Sequence, residues 1–178
     1  HNNYYILTNK RGKTISSSTV KTILYPPNTY EEEIHTTSRY MNYLSALDWQ
    51  VRLFSHLQEW NIKIIYKPHP PETFRNPPQS LFRDWEHVQT SYKPFEELIH
   101  VPDLFIFDFA ETSILLPLLN SDKPIIFINF GFLKWYPEFY ERLEKRCTII
   151  QGWMDENNRA HVDWNQLKDS LEHPIGYQ

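Results

Sequence analysis

The sequence predicts an α/β domain with a doubly wound, mainly parallel sheet and helices on both faces. Three observations lead there. Short, continuous apolar runs such as Leu104-Phe105-Ile106-Phe107 alternate with segments of helical period. Several runs stop abruptly at Pro or Asp, and no apolar/polar alternation marks a sheet with one wet face. The 178 residues, 40% hydrophobic and 22% charged, fit one domain with an ordinary core.

Residues 1–20, with the run Ser16-Ser17-Ser18-Thr19, read as an arm or interdomain linker, with one short strand expected at 4–8. The domain proper is expected over 21–178. Its first strand is Thr22-Ile23-Leu24-Tyr25, ended by Pro26-Pro27. A long helix is expected over 37–60, its buried face made by Tyr40, Tyr43, Leu44, Leu47, Val51, Phe54 and Leu57. The second strand, Ile62-Lys63-Ile64-Ile65-Tyr66, stops at Pro68. A proline-rich loop follows, then a short helix near 80–85, a weak strand at 87–90 and a small helix over 95–100 with Pro94 at its first turn.

The clearest buried strand is 104–108, followed by a helix over 111–119. Pro117 removes a backbone bond in that helix and shifts its expected start a few residues later. A strand at 124–129, a helix at 134–145, a strand at 148–151 and a closing helix at 164–171 complete the chain. Right-handed crossovers between such strands produce a Rossmann-like arrangement. Ligands then bind outside the carboxyl ends of the strands, where connections diverge to opposite faces.

The residues just after each strand are therefore the candidates. Lys67-Pro68-His69-Pro70 places an imidazole between two prolines, which fix φ and favour extended backbone. A stray histidine in a proline-rich loop is the bland reading; a ligand-facing His69 is the sharper one. Asp108-Phe109-Ala110-Glu111-Thr112-Ser113 leads into a helix, whose free N–H groups can seat a phosphate. Thr112 and Ser113 add hydroxyl donors. Glu111, whose charge repels an anion, suits sugar or ribose hydroxyls instead, and simple helix capping is the alternative for all three. Gly131, in Asn129-Phe130-Gly131-Phe132, permits close backbone approach to a ligand or merely makes a turn.

Several classes are disfavoured. Net charge is −4 with no basic stripe, which argues against nucleic-acid binding. One cysteine, Cys147, allows neither an internal disulfide nor a cysteine zinc cage and suits a reducing compartment, so a cytoplasmic location is expected. No apolar run reaches the ~20 residues of a membrane span, and the opening His1-Asn2-Asn3-Tyr4 does not read as a signal peptide, so none is expected. No histidines pair at metal-ligand spacing, so no metal or resident cofactor is expected.

Three stretches together resemble a known family. Ile64-Ile65-Tyr66-Lys67-Pro68-His69-Pro70, Pro102-Asp103-Leu104-Phe105-Ile106-Phe107-Asp108-Phe109 and Asp122-Lys123-Pro124-Ile125-Ile126-Phe127 are similar to the carboxy-terminal domain of CDP-glycerol glycerophosphotransferases of teichoic-acid synthesis. They are also similar to capsule-polysaccharide transferases. The resemblance implies a GT-B transferase whose donor, CDP-, CMP- or UDP-linked, is a substrate bound by this domain. It assigns donor phosphate to His69, the one candidate catalytic residue, and Lys67, Asp108, Glu111, Thr112, Ser113 and Gly131 are the further expected donor contacts. The family's serines after the second motif are replaced here by Ala110 and Glu111, so Thr112 and Ser113 inherit that role. The resemblance further implies an amino-terminal acceptor domain supplying the general base. Any peripheral contact with the inner face of the membrane is expected through that domain, and no turnover is expected from this segment alone. A nucleotide-sugar epimerase and a non-catalytic Rossmann-like interaction domain are the rival readings.

Overall fold

A computed structural model describes residues 12–14, 20–27, 41–68, 81–110 and 113–177. Its centre is a seven-stranded sheet of β2 (Thr22–Tyr25), β3 (Lys63–Tyr66), β4 (Val88–Thr90), β5 (Leu104–Phe107), β6 (Ile125–Asn129), β7 (Thr148–Met154) and β8 (Ala160–Val162). The spatial order is β4-β3-β2-β5-β6-β7-β8. Neighbours are parallel except β7 and β8, which are antiparallel. The order runs outward one way from β2 to β4 and the other way from β5 to β8, so the connections diverge between β2 and β5. This is the doubly wound, Rossmann-like architecture expected from the apolar strands. Separately, β1 (Gly12–Thr14) pairs antiparallel with β9 (Ile175–Tyr177).

Alternate residues of each strand enter two different cores. Ile23, Tyr25, Ile64, Tyr66, Leu104, Ile106, Ile126 and Ile128 pack with Trp49, Leu53, Phe54 and Leu57 of α1 (Tyr43–Glu59) and with Leu167 and Leu171 of α5 (Trp164–Glu172). Leu24, Ile65, Phe105, Phe107, Ile125 and Phe127 face the opposite way. They meet α2 (Phe95–Leu98), α3 (Leu115–Leu119) and α4 (Pro137–Arg146) through Phe95, Leu98, Leu115, Leu118 and Leu143. Burial on both faces explains why the strands read as unbroken apolar runs.

Helix α1 shows both a correct expectation and a misplaced one. It starts at an Asn42 cap, whose side chain accepts from Ser45 N at 2.9 Å, rather than at residue 37; residues 28–40 lie outside the described residues. It ends in a Schellman turn. Ile62 N donates to Leu57 O (2.8 Å) and Asn61 N to Gln58 O (2.9 Å), with Asn61 at φ 59°. The buried face is Ser45, Ala46, Trp49, Gln50, Leu53, Phe54 and Leu57, so Phe54 and Leu57 lie inward as expected, whereas Leu44 is 72% exposed. The helix has two apolar stripes. The one that turns inward holds Trp49, whose large ring stacks on Trp164 at 5.5 Å and whose N–H finds a buried acceptor.

Other boundaries shift modestly. The helix expected over 111–119 is the five-residue α3, with no side-chain cap at Ile114 and with Pro117 in its first turn. Helix α4 begins at Pro137 rather than residue 134, and residues 81–84 form turns rather than a helix. Strands β1, β8 and β9 have three residues each and no apolar run to announce them. The strand expected at 4–8 lies outside the described residues.

Arg146, only 7% exposed, joins α4 to the α3–β6 connection. Its guanidinium donates to the carbonyls of Leu119 (2.9 Å), Leu118 (3.1 Å), Ser121 (2.8 Å) and Lys123 (3.0 Å). These carbonyls lie in the last turn of α3 and in the loop that leads to β6, and a planar fork reaches several at once where an ammonium reaches fewer. Arg146→Lys is expected to destabilise the fold by about 2–4 kcal/mol, read from the urea midpoint. A loss below ~0.5 kcal/mol, the range of ordinary surface changes, would show that these bonds are replaceable by water.

Candidate functional site

The parallel strands bring the residues after β2, β3, β5 and β6 to one carboxyl edge. Tyr25 ends β2, and Asp108 follows β5 immediately, so the two flank the point where the connections diverge. The Tyr25 hydroxyl donates to Asp108 Oδ2, and Trp49 Nε1 donates to the same oxygen at 2.9 Å. One carboxylate oxygen thus binds β5 to β2 and to α1. Burial pushes the Asp108 carboxyl up to about 6, despite the opposing effect of its hydrogen bonds to Tyr25 and Trp49.

Asp108 also lines a small, open cleft between the ends of β5 and β6. Its walls are aromatic: Phe109, Phe127, Phe130, Phe132 and Trp135, with Asn129 the other polar residue. Packing behind them fixes these rings. Trp135 stacks on Phe139 with 3° between planes and meets the edge of Phe127, while Phe130 meets Trp49 edge-on at 5.1 Å. Gly152 of β7 makes room for Phe130, since a Cβ there would lie 2.5 Å from two of its ring carbons. Asn129 is engaged: Oδ1 accepts from Gly131 N at 3.0 Å, and Nδ2 donates to the Tyr140 hydroxyl at 3.3 Å. Two buried polar atoms near this edge lack a partner among the described residues, the Tyr66 hydroxyl and Trp135 Nε1.

The sequence-derived candidates divide accordingly. Lys67 follows β3, is half-buried, and has its ammonium pKa lowered by burial against the opposing charge of Glu96. Gly131 follows β6 at φ 77°, in a turn closed by Asn129, so its left-handed backbone accounts for the glycine. Ser113 is exposed and precedes the short α3. The helix after β5 starts at Leu115, a few residues later than residue 111. His69, Glu111 and Thr112 lie outside the described residues, so their convergence with Ser113 is not part of the geometry above. Tyr25 was missed although the strand-end rule reaches it just as it reaches Asp108. Trp49 has no comparable signal, since only the tertiary fold brings it to Asp108.

No protein-family model, curated protein or solved structure matches the chain. The site must be read from its own chemistry. Among the described residues no group of three or more His, Cys, Asp or Glu could hold a metal ion, and no helix is long and apolar enough to cross a membrane.

Two predictions follow from the Asp108 cluster. A carboxyl raised from the usual value near 4 to about 6 binds a proton more readily folded than unfolded, so its contribution to stability is lost as pH rises through that window. Wild-type stability relative to Asp108→Asn is expected to fall by roughly 3 kcal/mol between about pH 4 and pH 6, measured by urea unfolding. A flat difference would show an ordinary carboxyl. Separately, Tyr66→Phe removes a buried hydroxyl without a partner and is expected to be neutral or stabilising by up to ~1 kcal/mol, whereas Tyr25→Phe is expected to cost about 1–3 kcal/mol. Equal losses in the two variants would contradict the assignment of partners.

Proposed function

We propose that the chain is the donor-nucleotide-binding domain of a transferase. The enzyme moves a glycosyl or polyol-phosphate group from a CDP-, CMP- or UDP-linked donor to a cell-surface polysaccharide or teichoic-acid-like acceptor. The observation supporting this most directly is the strand order, which reverses between β2 and β5 with Asp108 at the reversal. Crevices at such points are where doubly wound sheets take up nucleotides. The Lys67-Pro68-His69-Pro70 stretch, by its resemblance to the glycerophosphotransferase and capsule enzymes, adds the phosphate-binding role.

Within this reading the donor phosphate belongs on the β3 side of the edge, with Lys67 and His69. Among the described residues lining the cleft beside Asp108, none carries a positive charge. His69 and Lys67 stabilise charge developing on the departing nucleotide phosphate, an electrostatic role that needs no covalent intermediate. The acceptor and general base come from an amino-terminal domain, so this segment binds nucleotide without turning it over.

Calorimetric titration of CMP, CDP and UDP into the wild-type domain and into His69→Ala tests the proposal. Binding of at least one nucleotide is expected, weakened about tenfold or more in the variant, as loss of a charged hydrogen bond implies. Equal affinity in both proteins removes His69 from the site, and binding of none removes the nucleotide reading.

A further inference from the structure

The carboxyl edge carries a second feature at β7. This strand outruns its neighbour: β6 ends at Asn129, opposite Gln151, so Trp153 is strand-paired on one side alone, with His161 of β8. Ile149 packs against the core beneath α4, and strand alternation puts Gln151 and Trp153 on that same face. Trp153 is 51% exposed there and stacks on His161 with ring centroids 5.6 Å apart. His161 Nε2 in turn donates to Asp155 Oδ2 at 2.9 Å, since a carboxylate only accepts. One face of the indole is thus backed by a fixed ring, and no strand covers its other flank.

Helix α4 supplies an opposite wall. It runs from the end of β6 back to the start of β7, and the Tyr140 hydroxyl accepts from Gln151 Nε2 at 2.8 Å, which sets helix against strand. One turn outward stands Tyr136, 84% exposed, whose carbonyl accepts from Tyr140 N at 3.0 Å. Four helical residues advance about 6 Å, and the two strand residues from Gln151 to Trp153 advance about 6.6 Å. Tyr136 and Trp153 therefore reach the same height on either side of a mouth whose floor is the Tyr140–Gln151 bond. Among the described residues Trp153 meets one ring, that of His161, and Tyr136 meets none.

Two exposed rings above a polar floor define what fits. Tyr136, Tyr140, Gln151 and Trp153 are uncharged, so nothing in the mouth selects an ion. Aromatic faces are electron-rich and attract the C–H face of a sugar. Beyond its bond to Tyr140, the Gln151 carboxamide has an acceptor and a second donor to offer sugar hydroxyls. The base of a donor nucleotide does not reach this far. Four strand spacings separate β3 from β7, about 19 Å, more than a nucleoside diphosphate spans from a phosphate at Lys67.

We propose that Tyr136 and Trp153 clamp a sugar residue of an uncharged glycan, hydrogen-bonded through Gln151. The inference goes beyond the donor-binding reading and needs no nucleotide. Where that reading holds, the glycan is the acceptor polymer, presented by the amino-terminal domain and extending across this edge. His161 is a positioning residue, because it holds the indole plane and leaves the opposite face to the ligand.

Saturation-transfer NMR on the full chain, with maltotriose, cellotriose and tri-N-acetylchitotriose as probes, tests the proposal. At least one trisaccharide is expected to bind, about tenfold weaker in Trp153→Ala and weaker also in Tyr136→Ala. Trp153→Phe keeps a ring in place and is expected to stay within about threefold of wild type. Both side chains are exposed, so the variants keep the wild-type thermal midpoint; if Trp153→Ala lowers it, Tyr136→Ala decides. The proposal is overturned if no trisaccharide binds, if the alanine variants bind as well as wild type, or if cytidine displaces the sugar. CMP binding without any trisaccharide response removes the clamp alone, and trisaccharide binding without nucleotide affinity removes the donor reading alone.

Discussion

A carboxylate taken out of water must be met by donors, and the donors it recruits determine which elements are held together. At the centre of this domain the carboxylate is Asp108, and the donors are a phenol from β2 and an indole from α1. Strand order, helix rotation and site geometry all meet at that oxygen. Tyr25 stacks on Tyr66 and meets Phe54 edge-on, while Trp49 stacks on Trp164, so each donor is itself locked by rings. Rotating α1 to bury its other apolar stripe would strip Asp108 of the indole and leave a partly neutralised acid against hydrocarbon.

The same arrangement separates framework from chemistry at atomic scale. Oδ2 is tied to the scaffold, and the same residue lines the cleft. Burial of the first keeps the carboxyl half-protonated in mildly acidic solution, where an exposed aspartate would be fully charged. Aromatic walls supported from behind by Phe139 and Gly152 complete a rigid recess rather than an adaptable one.

Much of the fold was legible in the residues. Strands buried on both faces are apolar throughout, and Leu104-Phe105-Ile106-Phe107 or Ile125-Ile126-Phe127-Ile128 admit few other readings at that length. Parallel order and right-handed crossovers then placed the working edge, and Asp108 with it. Legibility stopped where tertiary contacts decide. Helix α1 offers two stripes of similar character, and the partner of Trp49 lies 59 residues away in sequence. Three-residue strands such as Ala160-His161-Val162 exist through pairing, with no periodicity of their own. The one-turn α3 reflects Pro117, whose missing N–H was visible but whose full effect on the preceding residues was not.

Cys147 terminates α4 beneath the layer formed with Ile125, Phe127 and Leu143, and burial pushes its thiol up to about 12. At neutral pH it is neither ionised nor reachable, so alkylating reagents meet it only when that layer separates from the sheet. The chain's sole sulfhydryl is consequently a native reporter of local opening: its labelling rate measures how often one half of the molecule breathes, with no probe engineered in.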